Sequence, residues 1–124
     1  MFAVGDVVEL FAPQAGHKKY HVCICVNPGA AHQFLYLNSD PSFAGTIAFD
    51  CASIPCIPAS KTGKTVFTFA HLPRYNDNQL KLYNAKKLGV LDKQVAADVI
   101  AFVATVKTLN KADKAMVTAG LSAI

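Results

Sequence analysis

The feature that most constrains the fold is a change, late in the chain, in the period at which apolar residues recur. Before residue 80, short runs rich in Val, Ile, Leu and Phe alternate with clusters of turn-forming residues such as Asn27-Pro28-Gly29. Apolar runs bounded by such clusters are typical of β-strands. Several short strands in succession indicate a small barrel or sandwich. We predict strands over residues 4–11, 21–26, 33–37, 46–50, 54–57 and 65–70.

After residue 91 the apolar residues recur at helical spacing. Val95, Val99, Val103 and Val106 predict an amphipathic helix from about Asp92 to Leu109, with its apolar stripe against the barrel. Asp92 is a suitable N-cap. Residues 80–90 fit one helical turn followed by a short strand, and the tail is either a short helix or frayed. We therefore predict one domain, with a barrel over about 4–91, a C-terminal helix over about 92–109 and a tail over 110–124.

Composition excludes several classes of protein. The chain has 124 residues, of which 52% are hydrophobic and 16% charged, which excludes intrinsic disorder and a solvated coiled coil. The longest uncharged run, 20–39, is interrupted by polar residues, Pro and Gly and does not predict a transmembrane helix. The first residues lack the basic region of a signal peptide. We expect a soluble, cytoplasmic protein without a membrane partner.

Charge is distributed unevenly. Residues 61–124 carry ten Lys and Arg against four Asp, whereas residues 1–60 carry two Lys against four acids. A basic half is compatible with a polyanionic partner such as RNA. The alternative is an ordinary solvated, lysine-rich surface.

The four cysteines do not have the spacing of a metal site. Cys23 and Cys25 are separated by one residue and Cys51 and Cys56 by four, unlike the paired C-x2-C of a zinc ribbon. Cys23 and Cys25 also lie in an alternating strand run, where they would share one face as small buried residues. We predict structural thiols and no metal; a small metal-bound regulator is the weaker alternative.

Five short segments follow one another in the chain: GDVVEL from Gly5, PQAGH ending at His17, Asn38-Ser39, HLPRYND ending at Asp77, and KKLGVL from Lys86, followed by the terminal helix. In this order they resemble the PemK/MazF toxin family and in particular its PemK/Kid branch. One departure is Tyr20-His21, where the family has Arg-Pro.

The resemblance implies a fold and an activity. The fold is mainly β with α, a small SH3-like barrel with a C-terminal amphipathic helix, usually a homodimer. The activity is that of an endoribonuclease, without metal or cofactor, that cleaves single-stranded RNA to a 2′,3′-cyclic phosphate and a 5′-hydroxyl. A cognate antitoxin protein neutralises such toxins.

The branch pattern places the catalytic residues at His17, Arg74 and Asp77. Cleavage of this kind needs a base for the 2′-hydroxyl, a positive group at the phosphate and an acid for the leaving oxygen. Asp77 is the candidate base, Arg74 the phosphate clamp, and His17 the acid or the group that orients Asp77. The candidate RNA-binding residues are Lys18, Lys19, Tyr20, Asn38, Ser39, Phe43, Lys61 and Lys64.

Each of these residues also has an ordinary structural interpretation. Arg74 and Asp77 would form a surface ion pair, His17 and the lysines would be solvated, and Tyr20-His21 would be strand residues, one inward and one outward. Because Arg-Pro is absent, the alternative function is a non-catalytic barrel of the same ancestry that binds RNA or a protein partner.

Overall fold

The computed structural model describes residues 2–124 and is mainly β, with a curled antiparallel sheet that forms a half-barrel. The strands are β1 (Asp6–Ala12), β2 (His17–Cys25), β3 (His32–Asn38), β4 (Ile47–Asp50), β5 (Lys64–Thr68), β6 (Arg74–Tyr75) and β7 (Lys86–Val90). The helices are α1 (Asp77–Leu82), α2 (Lys93–Val103) and α3 (Lys111–Ser122), and a 3-10 turn spans Cys51–Ser53.

The sheet has the strand order β4-β5-β3-β2-β1-β7. The short strand β6 pairs with the start of β3, where Gln33 lies opposite Arg74. Strand β5 pairs with the other end of β3, where Asn38 lies opposite Val66. Strands β5 and β6 therefore occupy the same edge of β3, one beyond the other.

Two predictions for the barrel segments are wrong. The second predicted strand begins at residue 21, but residues 17–20 also belong to it as the first half of β2, and His17 pairs with Ala12 of β1. Residues 54–57 were expected to form a weak strand, but Ile57 donates its N–H to the carbonyl of Ile54 in a turn. Pro55 and Pro58 have no N–H to donate to a strand ladder, which explains the second error.

Both faces of the sheet are covered, so the chain has two apolar cores. The larger lies between the sheet and helices α2 and α3. The smaller lies on the opposite face, where α1 covers the sheet, and comprises Val8, Leu10, Cys23, Phe34, Tyr75 and Leu80. Because the middle of β2 is buried on both faces, its residues 21–24 are all buried.

Helix α1 accounts for the first part of the segment that the sequence left ambiguous. Asn76 caps it: its side chain accepts from the N–H of Gln79, and the Gln79 side chain accepts from the N–H of Asn76. This reciprocal pair is a capping box. The carbonyl of Tyr83, just after the helix, accepts from the N–H of Phe11 and ties the helix end to β1.

Helix α2 lies within the segment predicted to be helical but ends earlier, at Val103. Asp92 caps it by accepting from the N–H groups of Gln94 and Val95. The helix ends because Thr105 donates both its N–H and its hydroxyl to the carbonyl of Phe102, which tightens the last turn. Val106 and Leu109 follow the helix and remain buried in the larger core.

The tail contains α3, which Asn110 caps through the N–H of Asp113. Helix α3 packs on β2, and the approach is closest at Gly120, where an added Cβ would overlap the carbonyl oxygen of Ile24. Within residues 2–124, none of the helices combines the length and the apolar character needed to cross a bilayer.

Candidate functional site

The three residues predicted to be catalytic occupy two ends of the half-barrel. His17 is the first residue of β2, whereas Cys25 at the other end of β2 pairs with Gln33, which in turn pairs with Arg74. The nine residues from His17 to Cys25 are separated by eight steps of ~3.3 Å, or about 26 Å of strand. Arg74 and Asp77 therefore lie near one end of β2 and His17 at the other, so a single chain does not bring the three together.

Asp77 is held by a different histidine. His32 Nε2 lies 2.7 Å from Asp77 Oδ1. His32 is buried, and its Nδ1 accepts a hydrogen bond of 2.9 Å from the N–H of Asn27. Because Nδ1 accepts, Nε2 carries the hydrogen and donates it to the carboxylate. His32 thus fixes one oxygen of Asp77, whose side chain is 46% exposed.

Sequence reasoning did not identify His32 as a site residue. It lies 45 residues before Asp77 and carries no local motif. Arg74 is exposed, and no carboxylate of residues 2–124 forms an ion pair with it. The expected surface ion pair between Arg74 and Asp77 is therefore not formed, and the guanidinium is free to contact a ligand.

Most of the predicted RNA-binding residues line one cleft, which we call the His17 cleft. It lies between the first half of β2, the end of β3 and the segment 57–60, and has a volume of about 270 Å³. Six of its residues were singled out from the sequence, namely His17, Lys18, Lys19, Tyr20, Asn38 and Ser39. Its other lining residues are Leu37, Ile57, Pro58, Ala59, Ser60 and Thr65.

Hydrogen bonds hold the polar wall of the His17 cleft. Asn38 Oδ1 accepts from the N–H of Ser39 at 2.8 Å, so the Asn38 side-chain NH2 is the part left to donate to a ligand. Thr62 donates its hydroxyl to the Ser39 carbonyl at 2.5 Å. Ser60 donates its hydroxyl to the Lys64 carbonyl at 2.8 Å. The wall is thereby tied to the turn that precedes β5.

Two lysines and a tyrosine supply the charge and the aromatic surface of the cleft. Lys18 Nζ lies 3.4 Å from Glu9 Oε1, and the Lys18 side chain is 66% exposed. Lys19 Nζ lies 5.9 Å from the centre of the Tyr36 ring. Burial, with Glu9 adding to the effect, raises the pKa of Tyr20, so its phenol stays neutral near pH 7.

The remaining predicted RNA-binding residues lie outside the cleft lining. Phe43 is 59% exposed and lines a separate depression beside Phe69 and Thr108. Lys64 forms an ion pair with Asp50 at 2.5 Å. Lys61 is exposed in the turn after Ser60, at the edge of the cleft. The candidates in β2 and at the end of β3 thus lie together in the cleft, whereas Phe43, Lys61 and Lys64 do not line it.

His21 lies in a strand, as its structural interpretation has it, but Tyr20 and His21 do not divide into one inward and one outward side chain. His21 is fully buried between the rings of Phe34, Tyr36 and Tyr75, whose centres lie 5.2–6.1 Å from its own. Neither ring nitrogen has a well-aligned hydrogen-bond partner among the described residues. Tyr20 packs against the larger core on the other face of the sheet, so both residues point inward.

The cysteines are free thiols within residues 2–124, and no cluster of three metal-ligating side chains is found there. Cys23 is buried, as its strand position predicts. Cys25 is only half-buried, so the prediction of two buried cysteines is wrong for Cys25, which is the last residue of β2.

No protein-family model matches this sequence, and no curated protein and no solved structure matches it either.

Proposed function

We propose that this protein binds single-stranded RNA in the His17 cleft, and that its half-barrel is of the SH3-like type. One observation carries the proposal: residues 17–20 of β2 and residues 38–39 at the end of β3, which the sequence analysis singles out, line the same cleft. The cleft combines ammonium groups for phosphates with two half-buried groups, the Asn38 amide for base edges and the part of the Tyr20 ring that lines the cleft. These are the groups with which proteins bind single-stranded nucleic acid.

The proposal includes the partners that the resemblance implies and the cytoplasmic location expected from the sequence. A second copy of the chain completes a homodimer, and the complex acts in the cytoplasm. An antitoxin protein would cover the His17 cleft and compete with RNA for it, because an acidic segment is attracted to the same lysines.

Removing the two lysine charges of the cleft is expected to weaken RNA binding at least tenfold at ~50 mM salt. The variant is Lys18→Gln with Lys19→Gln, and the measurement is fluorescence anisotropy of a labelled single-stranded octanucleotide of mixed sequence. The control, Lys107→Gln with Lys111→Gln, removes the same charge from exposed residues outside the cleft. Equal loss in both variants would mean that binding follows net charge and not the cleft.

A second candidate function is the metal-independent endoribonuclease. The specific observation in its favour is that Asp77 is half-exposed and fixed by His32, three residues after an Arg74 that has no ion-pair partner among residues 2–124. Asp77 would be the base and Arg74 the phosphate clamp. His17 would be supplied by the partner of a homodimer, since one chain keeps it at the other end of β2.

This second candidate predicts rescue between two inactive variants. In EDTA, His17→Ala and Asp77→Asn should each cleave fluorogenic RNA at least about 100-fold more slowly than the wild type. If the site is shared between subunits, equal mixing regenerates one intact site in each mixed dimer, or about a quarter of the wild-type rate. Absence of rescue would exclude the shared site, and an inert wild type at micromolar concentration would exclude the nuclease.

A further inference from the structure

A second depression adjoins the His17 cleft. Its lining residues are Lys18, Leu80, Lys81, Asn84, Ala85 and Lys86, and its volume is about 470 Å³. Among residues 2–124, Lys18 is the one residue that lines both depressions. We call this second depression the three-lysine depression.

The fold brings three ammonium groups together at this place from distant parts of the chain. Lys18 is on β2, Lys81 is in the last turn of α1, and Lys86 begins β7. A turn connects Lys81 to Lys86. In this turn Ala85 donates its N–H to the Leu80 carbonyl at 2.9 Å, and Asn84 adopts a positive φ of 53°. The position of these lysines therefore follows from ordered backbone.

The depression carries more positive than negative charge. No carboxylate is among its lining residues, and within residues 2–124 neither Lys81 nor Lys86 forms an ion pair. One acid lies nearby: Glu9 is 3.4 Å from Lys18 and lies opposite Lys86 in the pairing of β1 with β7. Three lysines thus share one carboxylate, whereas Lys64 and Lys87 elsewhere on the surface are each paired with an acid. Like charges in excess repel one another, and a polyanion relieves that repulsion.

The size of the His17 cleft points the same way. Its volume of about 270 Å³ is slightly below the ~300–1,000 Å³ of a typical small-molecule pocket, so it holds only a short part of a strand. Barrel proteins that bind single strands contact ~4–16 nucleotides per fold. A longer RNA must therefore extend beyond the cleft. The three-lysine depression, which shares Lys18 with the cleft, offers basic groups for its phosphates.

We propose that the three-lysine depression is a second phosphate-binding subsite, which holds the backbone of an RNA strand that leaves the His17 cleft past Lys18. This inference rests on RNA binding by the cleft and adds the direction in which the strand extends. The ammonium groups of Lys81 and Lys86 contact phosphates and read no base, because they have no geometry that selects one.

The test measures how affinity depends on RNA length, with and without the charges of Lys81 and Lys86. Wild-type protein should bind a single-stranded octanucleotide at least tenfold more tightly than a dinucleotide. In the variant Lys81→Gln with Lys86→Gln, most of that advantage should be lost, while dinucleotide affinity stays within about twofold of the wild type. The logarithmic salt dependence of octanucleotide binding should become less steep by about 1.4, the value for two lost phosphate contacts on a single strand.

The matched control is the Lys107→Gln and Lys111→Gln variant, which should keep the length advantage. If the Lys81/Lys86 variant keeps it as well, the subsite is overturned while RNA binding by the cleft stands. If the dinucleotide loses as much affinity as the octanucleotide, the lysines belong to the cleft and the second subsite is again overturned. If neither RNA binds the wild type, both the subsite and the proposed function fail.

Discussion

Replacing Gly120 with alanine is expected to destabilise the protein by about 3 kcal/mol, although alanine favours helices. Gly120 lies in α3 against β2, where an added Cβ would overlap the Ile24 carbonyl oxygen and lie 2.9 Å from the Ile24 carbonyl carbon. These are backbone atoms in the middle of the sheet and cannot move aside as a side chain can. The gain in helix propensity, about 1 kcal/mol, is smaller than the cost of separating α3 from β2.

The measurement is urea unfolding followed by circular dichroism. Ala119→Gly is the control, because Ala119 is the exposed neighbour in the same helix and its replacement should cost only about 1 kcal/mol. If Gly120→Ala unfolds at the same urea concentration as the wild type or a higher one, α3 does not approach β2 as closely as described.

Acidification is expected to destabilise the protein strongly through His21. Burial lowers the pKa of His21 from 6.5 to about 4, and a nearby backbone group of Lys19 offsets only part of the effect. The surrounding groups are the rings of Phe34, Tyr36 and Tyr75, and the charges of Lys19 and His71 oppose protonation further. The buried imidazole is therefore neutral at pH 7.

The sign of the effect follows from proton binding. Between pH 6.5 and about 4 the unfolded chain binds a proton at His21 that the folded chain does not, so the free energy of unfolding falls as the pH is lowered. The loss from this residue amounts to about 3 kcal/mol over that interval. It is complete below about pH 4 and absent above pH 6.5.

Substitution by phenylalanine isolates this contribution. His21→Phe keeps an aromatic ring in the cluster and removes two buried nitrogens that lack well-aligned partners, so it should be at least as stable as the wild type at pH 7. The free energy of unfolding, measured in urea from pH 7 to pH 4, should fall about 3 kcal/mol less in this variant. His17→Gln, at an exposed position whose charge is not among those that act on His21, should retain the wild-type dependence; identical curves for wild type and His21→Phe would contradict the burial of a neutral His21.

Local signals were sufficient for most of the sheet. Strands β1, β3 and β5 are rich in β-branched and aromatic residues, and most of their apolar residues are buried, with Phe11 of β1 an exposed exception. The prediction failed at residues 17–20, which are mostly polar. They form a strand because their backbone pairs with β1, and the composition of the segment does not reveal that pairing. Helix α1 has only six residues, too few for a periodic signal, although Asn76 and Gln79 form a readable capping box.

The candidate site was predictable only in part. The six residues of the His17 cleft that were predicted from the sequence come from two short segments, 17–20 and 38–39. These segments meet because β2 and β3 are paired. The contact of His32 with Asp77 and the convergence of Lys18, Lys81 and Lys86 depend on how distant segments meet in the folded chain. A single sequence contains no local pattern that specifies such contacts.

Binding of RNA in the His17 cleft can be mapped by amide chemical shifts in ¹⁵N-labelled protein during titration with a single-stranded RNA octanucleotide. We expect the largest perturbations at residues 17–20, 37–39 and 57–60 (apart from Pro58, which has no amide hydrogen), and we expect them to saturate. Perturbations confined to residues 76–78 beside Asp77 would contradict binding in the cleft. So would the absence of perturbations at ~1 mM RNA, a concentration above the dissociation constants of ordinary non-specific binding.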